Sequence, residues 1–154
     1  MSLPASDTLR SLKSELADLA RARGFDALGV SDVRLDADAT HLERWLDAGL
    51  HGEMGYMAKH GSRRSHPDEL VPGTLRVLSA RMNYWPAEAR DAGEVLADPS
   101  LAYVSRYALG RDYHKLMRNA LRDLADDIVG RIGPMGYRVF VDSGPVLEKA
   151  LARN

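Results

Sequence analysis

Asp142 is the residue whose setting points most directly to chemistry. It follows Val139-Phe140-Val141, an apolar run that reads as a strand, and so stands at that strand's C-terminal end. In α/β sheets ligands collect at that end. A carboxyl held in apolar surroundings has its pKa raised, which suits it to donate a proton near neutral pH. The plainer reading makes Asp142 a cap for the helix that follows. Upstream, Ser105-Arg106-Tyr107-Ala108-Leu109-Gly110-Arg111-Asp112-Tyr113-His114 crowds polar and aromatic groups between an expected strand and an expected helix. A helix N-terminus there presents free N–H groups to a polar or anionic ligand. Tyr107 and Tyr113 fit equally well as core-edge aromatics with solvated hydroxyls. Lys59, Arg63 and Arg64 lie close together with no acid between them. Guanidinium forks bind phosphate or carboxylate in pairs of hydrogen bonds; a solvated loop is the alternative.

Other patterns fall away on inspection. Asp142-Ser143-Gly144 lacks the nucleophile-elbow pattern, and no histidine is tied to Ser143 by spacing. His51-Gly52-Glu53 echoes half of a zinc-deaminase signature whose other half needs two cysteines, and the chain has none. His51, His60 and His66 contain no pair one helical turn apart, so surface histidines are the plainer reading. Gly130, Gly133 and Gly136 end a helical pattern, whereas a dinucleotide fingerprint follows a strand and opens a helix.

The elements that must position these residues fit one domain. The chain has 154 residues, 45% hydrophobic and 28% charged, with a net charge of −1; domains run about 100–200 residues. The composition is globular. The charge balance excludes nucleic-acid binding through bulk charge, though not a local basic patch. The absence of cysteine excludes a disulfide framework, a thiol nucleophile and a cysteine-ligated zinc or iron–sulfur centre within this chain. No apolar run approaches the roughly 18 residues of a membrane span, and no signal-peptide pattern opens the chain; a cytoplasmic protein is expected.

Leu9, Leu12, Leu16, Leu19 and Ala20 recur at helical spacing and predict a helix over 6–23, with Ser6 as N-cap and Gly24 as terminator. A strand is expected over 25–30 and a helix over 38–48, with Leu42, Trp45 and Leu46 inward and Gly49 ending it. A short helix over 54–59 leads into an exposed loop punctuated by Pro67 and Pro72. Strands are expected over 74–84 and 101–107, with a polar connection over 86–99. The clearest pattern runs from Tyr113 to Ile132, capped by Asp112 and ended by Gly133-Pro134. A strand over 137–141 and a helix over 146–152 follow. Helices alternate with strands, so a single α/β or α+β domain is expected.

Taken together these segments resemble the N-terminal part of the cobalamin-dependent epoxyqueuosine reductases. The resemblance rests on His51-Gly52-Glu53-Met54, Met57-Ala58-Lys59-His60-Gly61, and Arg64 with Glu69-Leu70-Val71-Pro72-Gly73-Thr74-Leu75-Arg76-Val77. It continues through Tyr103-Val104-Ser105-Arg106-Tyr107-Ala108-Leu109-Gly110-Arg111-Asp112-Tyr113-His114-Lys115 and Phe140-Val141-Asp142-Ser143-Gly144-Pro145-Val146-Leu147-Glu148. These stretches occur in the family's order and span nearly the whole chain.

The resemblance implies a nitroreductase-like, cobalamin-binding α/β domain with a mixed sheet flanked by helices. It implies removal of the epoxide oxygen of epoxyqueuosine at the wobble position of tRNA, with cobalamin as cofactor and two [4Fe–4S] clusters feeding it. The family's proton donor falls on Asp142, and its corrinoid contacts on Arg64, Ser105 and Asp142. Family members continue into cysteine clusters, so residues 1–154 are expected to be a cobalamin-binding domain truncated before the ferredoxin-like part and dependent on an external electron donor. A monomer is expected. Two competing readings are a tRNA-binding module without catalysis, resting on Lys59, Arg63, Arg64, Arg106 and Arg111, and a flavin-binding relative.

Overall fold

The computed structural model describes residues 6–153. Helix α1 (Ser6–Ala22) buries Leu16 and Ala20, with Leu12 and Leu19 partly covered, while Leu9 stays exposed. The Ser6 side chain, expected as a cap, lies outside what is described. Gly24, at φ 85°, ends α1. Its N–H reaches the Arg21 carbonyl at 3.0 Å and the Phe25 N–H reaches that of Ala20 at 3.0 Å. This is the paired 6→1 and 5→2 closure of a Schellman motif, and it folds Phe25 back into the core.

Strand β1 (Ala27–Ser31) then pairs antiparallel with β2 (Val77–Arg81), Ala27 opposite Arg81 and Ser31 opposite Val77. Side chains alternate across the pair. Leu28 and Ala80 face a core of Leu16, Ala20, Phe25, Leu124 and Ile128, formed between α1 and α5 (Tyr113–Ile132). Val77 faces the other way, onto Leu35, Ala150 and Leu151, where α6 (Glu148–Arg153) packs across both strands. The small sheet is thus held between α1 and α5 on one side and α6 on the other. Arg23 clamps α1 to α5 through a two-pronged contact with Asp127, at 2.6 and 2.8 Å. Arg153 ties α6 to Asp38 at 2.7 Å.

Helix α2 (Asp36–Asp47) keeps Leu42, Trp45 and Leu46 half-buried and ends near Gly49 at φ 67°. The glycine-rich stretch after it forms 3₁₀ turns over Gly55–Met57 and Gly61–Arg64 before α3 (Pro67–Leu70). Gly55 and the proximity of Gly61 account for a single turn where a short helix was expected. The 86–99 connection contains α4 (Ala92–Ala97), capped by Asp91, whose carboxylate accepts from the Gly93 and Glu94 N–H groups at 2.8 and 3.2 Å.

The α+β class is as expected, but among the described residues the sheet is two-stranded and antiparallel rather than mixed. Segments 101–107 and 137–141 run without ladder partners. Leu101, Tyr103, Val104 and Tyr137 are exposed, whereas Val141 is buried. Alternation in the sequence records which residues seek cover; a ladder also needs a neighbouring chain to take its N–H and C=O groups. No helix among the described residues is long and apolar enough to cross a membrane.

Candidate functional site at the start of helix α5

Asp112 caps α5, its carboxylate accepting from the His114 N–H at 3.0 Å. The same Oδ1 stands 3.0 Å from His114 Nδ1. Tyr113 stacks on the His114 ring with centroids 4.1 Å apart and 30° between planes, and meets Tyr107 edge-on at 6.0 Å. The start of α5 therefore projects a phenol and an imidazole side by side. Both reach Asp142: the Tyr113 hydroxyl donates to Asp142 Oδ2, and His114 Nε2 lies 3.8 Å from the same oxygen.

The backbone at Asp142 is shaped to present its carboxylate. Asp142 is the sole non-glycine residue with positive φ, 53°, among the described residues. The Ser143 N–H bonds the Val141 carbonyl at 2.5 Å, closing a three-residue turn centred on Asp142. Aspartate tolerates this region better than most residues, though at some cost in strain. Gly144 follows against Phe140: a Cβ there would stand 2.5 Å from Phe140 Cδ1 and 2.9 Å from its Cβ. The turn is thereby wedged against the 137–141 segment.

The apolar enclosure expected around Asp142 is not formed. Its side chain is 54% exposed, because the turn swings the carboxylate off the apolar segment and toward the polar end of α5. The electrostatic imprint appears on the neighbours. The Tyr113 phenol is pushed up to about 12, chiefly because ionising it would break its hydrogen bond to Asp142. Hydrogen bonds from His114 hold the Asp112 carboxyl below its ordinary value. Glu148 is raised, first by burial and then by the charge of Asp142.

Ser105 and Arg64 bear on this cluster from different directions. Ser105 is exposed and precedes the 3₁₀ turn Arg106–Ala108, making no side-chain capping bond. Through Tyr107 its segment abuts Tyr113. Arg64 turns its guanidinium inward, donating from Nε to the Met57 carbonyl at 3.0 Å and from Nη2 to the Tyr56 carbonyl at 2.9 Å. Its own carbonyl accepts from the Leu147 N–H at 3.0 Å, joining the 61–64 turn to the segment that carries Asp142. Arg106 lies over the Trp85 ring at 3.7 Å and donates to the Arg90 carbonyl at 2.6 Å. Arg64 and Arg106 are thus engaged internally, which weakens the case for a basic surface built on them.

His66 Nδ1 sits 2.9 Å from the Ser62 carbonyl. Among the described residues no three or more His, Asp or Glu side chains gather as a metal site would require. Sequence reading singled out the 105–114 segment but offered Tyr113 as a core-edge aromatic with a solvated hydroxyl, where the structure bonds that hydroxyl to Asp142, and gave His114 no individual role. The available signal was the capping Asp112 followed at once by two side chains that the first turn of a helix must display.

The α+β domain thus sets a carboxylate-bearing turn against the polar start of a long helix, at an open site. The family profile described as "Epoxyqueuosine reductase QueG, DUF1730" matches residues 64–143, which include Arg64, Ser105, the Asp112–His114 triplet and Asp142. The chain is 60% identical over 141 residues to the epoxyqueuosine reductase of Pseudomonas aeruginosa, covering 92% of this chain and 39% of that protein. It is 49% identical over 144 residues to that of Escherichia coli K12, covering 94% and 38% respectively. A crystal structure of a selenomethionine-labelled epoxyqueuosine reductase superimposes with a TM-score of 0.67 at 22% identity, over 93% of this chain and 38% of that one, and shows the shared fold. The chain belongs to the epoxyqueuosine reductase QueG DUF1730 family. It spans about two fifths of the length of these relatives and corresponds to their N-terminal part.

Proposed function

We propose that residues 1–154 form the cobalamin-binding, catalytic N-terminal domain of an enzyme that reduces epoxyqueuosine to queuosine in tRNA, with Asp142 as the proton donor to the epoxide oxygen. The reading is of a cytoplasmic, monomeric enzyme fed by an external electron donor. Asp142, reached by both Tyr113 and His114 and presented on a strained turn, is the observation that carries this proposal.

The residues present suit a corrinoid. Such a ring needs an apolar surface to lie on and polar groups at its rim. Tyr103, Val104, Tyr107 and Leu109 are exposed in the segment leading to α5, and the Ser105 hydroxyl among them makes no capping bond. Ser105, Asp142 and the Arg64 turn would hold the group, which supplies the electron chemistry when bound. Iron–sulfur clusters do not suit this chain, since it offers no cysteine; in this reading they lie in another part of the enzyme. The protein's own task is then proton delivery. Epoxide opening leaves charge on oxygen, and a carboxylic acid within reach protonates it as the C–O bond breaks. Tyr113 fixes the carboxyl in place through its hydroxyl.

In the full-length enzyme, Asp142→Asn is expected to abolish epoxide reduction while leaving the corrinoid's absorption and electron paramagnetic resonance signals those of the bound state. Retained turnover would overturn the assignment.

A further inference from the structure

His114 stands between two carboxylates at the start of α5. Both of its ring nitrogens face carboxylates: Nδ1 stands 3.0 Å from Asp112 Oδ1 and Nε2 stands 3.8 Å from Asp142 Oδ2. Its third neighbour is the Tyr113 ring, stacked on it. Behind these, the charge of Lys115 acts on Asp112, while Glu148 on α6 faces Asp142. The imidazole remains 40% exposed and is within reach of water. An orienting carboxylate on one nitrogen and a reacting partner near the other is the arrangement by which a histidine moves protons.

We infer that His114 supplies the proton that Asp142 delivers, with Asp112 as a positioning residue. This rests on the reading of Asp142 given above. The Nε2–H bond of the imidazolium breaks as an O–H bond forms on Asp142. Asp142 passes that proton to the epoxide oxygen as its C–O bond breaks, and the imidazole regains a proton from water. The reduction as a whole consumes two electrons and two protons per water and alkene formed; this relay supplies protons only, and the electrons would be supplied through the corrinoid by an external low-potential donor. The 3.8 Å separation exceeds a hydrogen bond, so transfer crosses a shortened contact or a single bridging water.

The test uses the full-length reductase with its cofactors loaded and saturating reductant. His114→Gln is expected to lower kcat about 10²-fold at pH 7.5, in the range typical of a lost general acid–base group. The parent rate is expected to decline with rising pH on an alkaline limb that His114→Gln should remove, and added imidazole should restore much of the loss. Bound-corrinoid absorption should not change. Asp112→Asn keeps a good helix cap but removes the charge at Nδ1, so its alkaline limb should shift to lower pH; this variant carries the test should the glutamine variant fail to fold. A parental rate and pH profile in His114→Gln, or a loss that imidazole does not restore, would overturn the inference, as would an unshifted limb in Asp112→Asn. An inactive Asp142→Asn enzyme beside a parental His114→Gln enzyme sinks this inference alone, whereas an active Asp142→Asn enzyme sinks the underlying assignment.

Discussion

Replacing Gly144 by alanine tests how the acid-bearing turn is held. Carbon atoms pack favourably at about 3.5–4.0 Å, and the added methyl would lie 2.5 Å from Phe140 Cδ1 and 2.9 Å from Phe140 Cβ. Ring rotation can relieve the first clash. It cannot relieve the second, because Cβ is fixed to the backbone of the 137–141 segment. The three-residue turn must therefore open, and the Tyr113–Asp142 hydrogen bond opens with it. Overpacking of this kind costs about 1–3 kcal/mol, and the reduced freedom of the unfolded chain returns about 0.4–1 kcal/mol. The centres of these ranges leave a net loss of about 1.3 kcal/mol, or a fall in Tm of roughly 3–5 °C for a domain of this size. Gly130→Ala is the matched control. Gly130 lies within α5, with nothing within 4 Å of a built Cβ, so the change should stabilise by about 0.8–1 kcal/mol through helix propensity. Thermal and urea unfolding of both variants measure the difference. A Gly144→Ala midpoint equal to or above that of the parent would refute the claim that this close approach sets the turn.

The other expectations concern the same cluster and the core beneath it. Tyr113 carries a phenol raised to about 12 by its bond to Asp142, so its contribution to stability is fully present below the ordinary phenol value near 10 and is lost as pH rises toward 12. Asp142→Asn should bring this titration back toward 10, read from tyrosinate absorbance with Tyr113→Phe as the subtraction; an unchanged titration would argue against the contact. Leu124 is buried between α1 and α5, and Leu124→Ala should cost about 2–5 kcal/mol, read from the urea midpoint.

Legibility differed by element for physical reasons. The helices α1 and α5 were readable because their apolar faces, their terminating Gly24 and Gly133, and the Asp112 cap all agree with one another. Helix α4 escaped notice because its six residues carry too few apolar positions to show a period. The 101–107 and 137–141 segments misled because strand-like alternation says nothing of a pairing partner. At the site, the position of Asp142 in the chain was visible but its exposure was not, since a single residue at φ 53° reverses which side of the chain it faces. Arg64 read either as part of a solvated loop or as an anion-binding group; two backbone carbonyls that no local pattern reveals turn its guanidinium inward.

The seat of α6 has a consequence for the order in which the molecule assembles. Its buried residues Ala150 and Leu151 rest on Leu35, which follows β1, and on Val77 in β2, so the seat exists only after the distant ends of the two-stranded ladder have met. The turn bearing the carboxylate lies between α5 and α6 and is braced on both sides. It is therefore expected to settle only once both helices are seated, and to loosen if α6 leaves its seat. Amide exchange graded from slow at Leu124 to fast at Ala150 would be the kinetic trace of that hierarchy, and it would mean that the acid can be released from its partners while the rest of the domain stays folded.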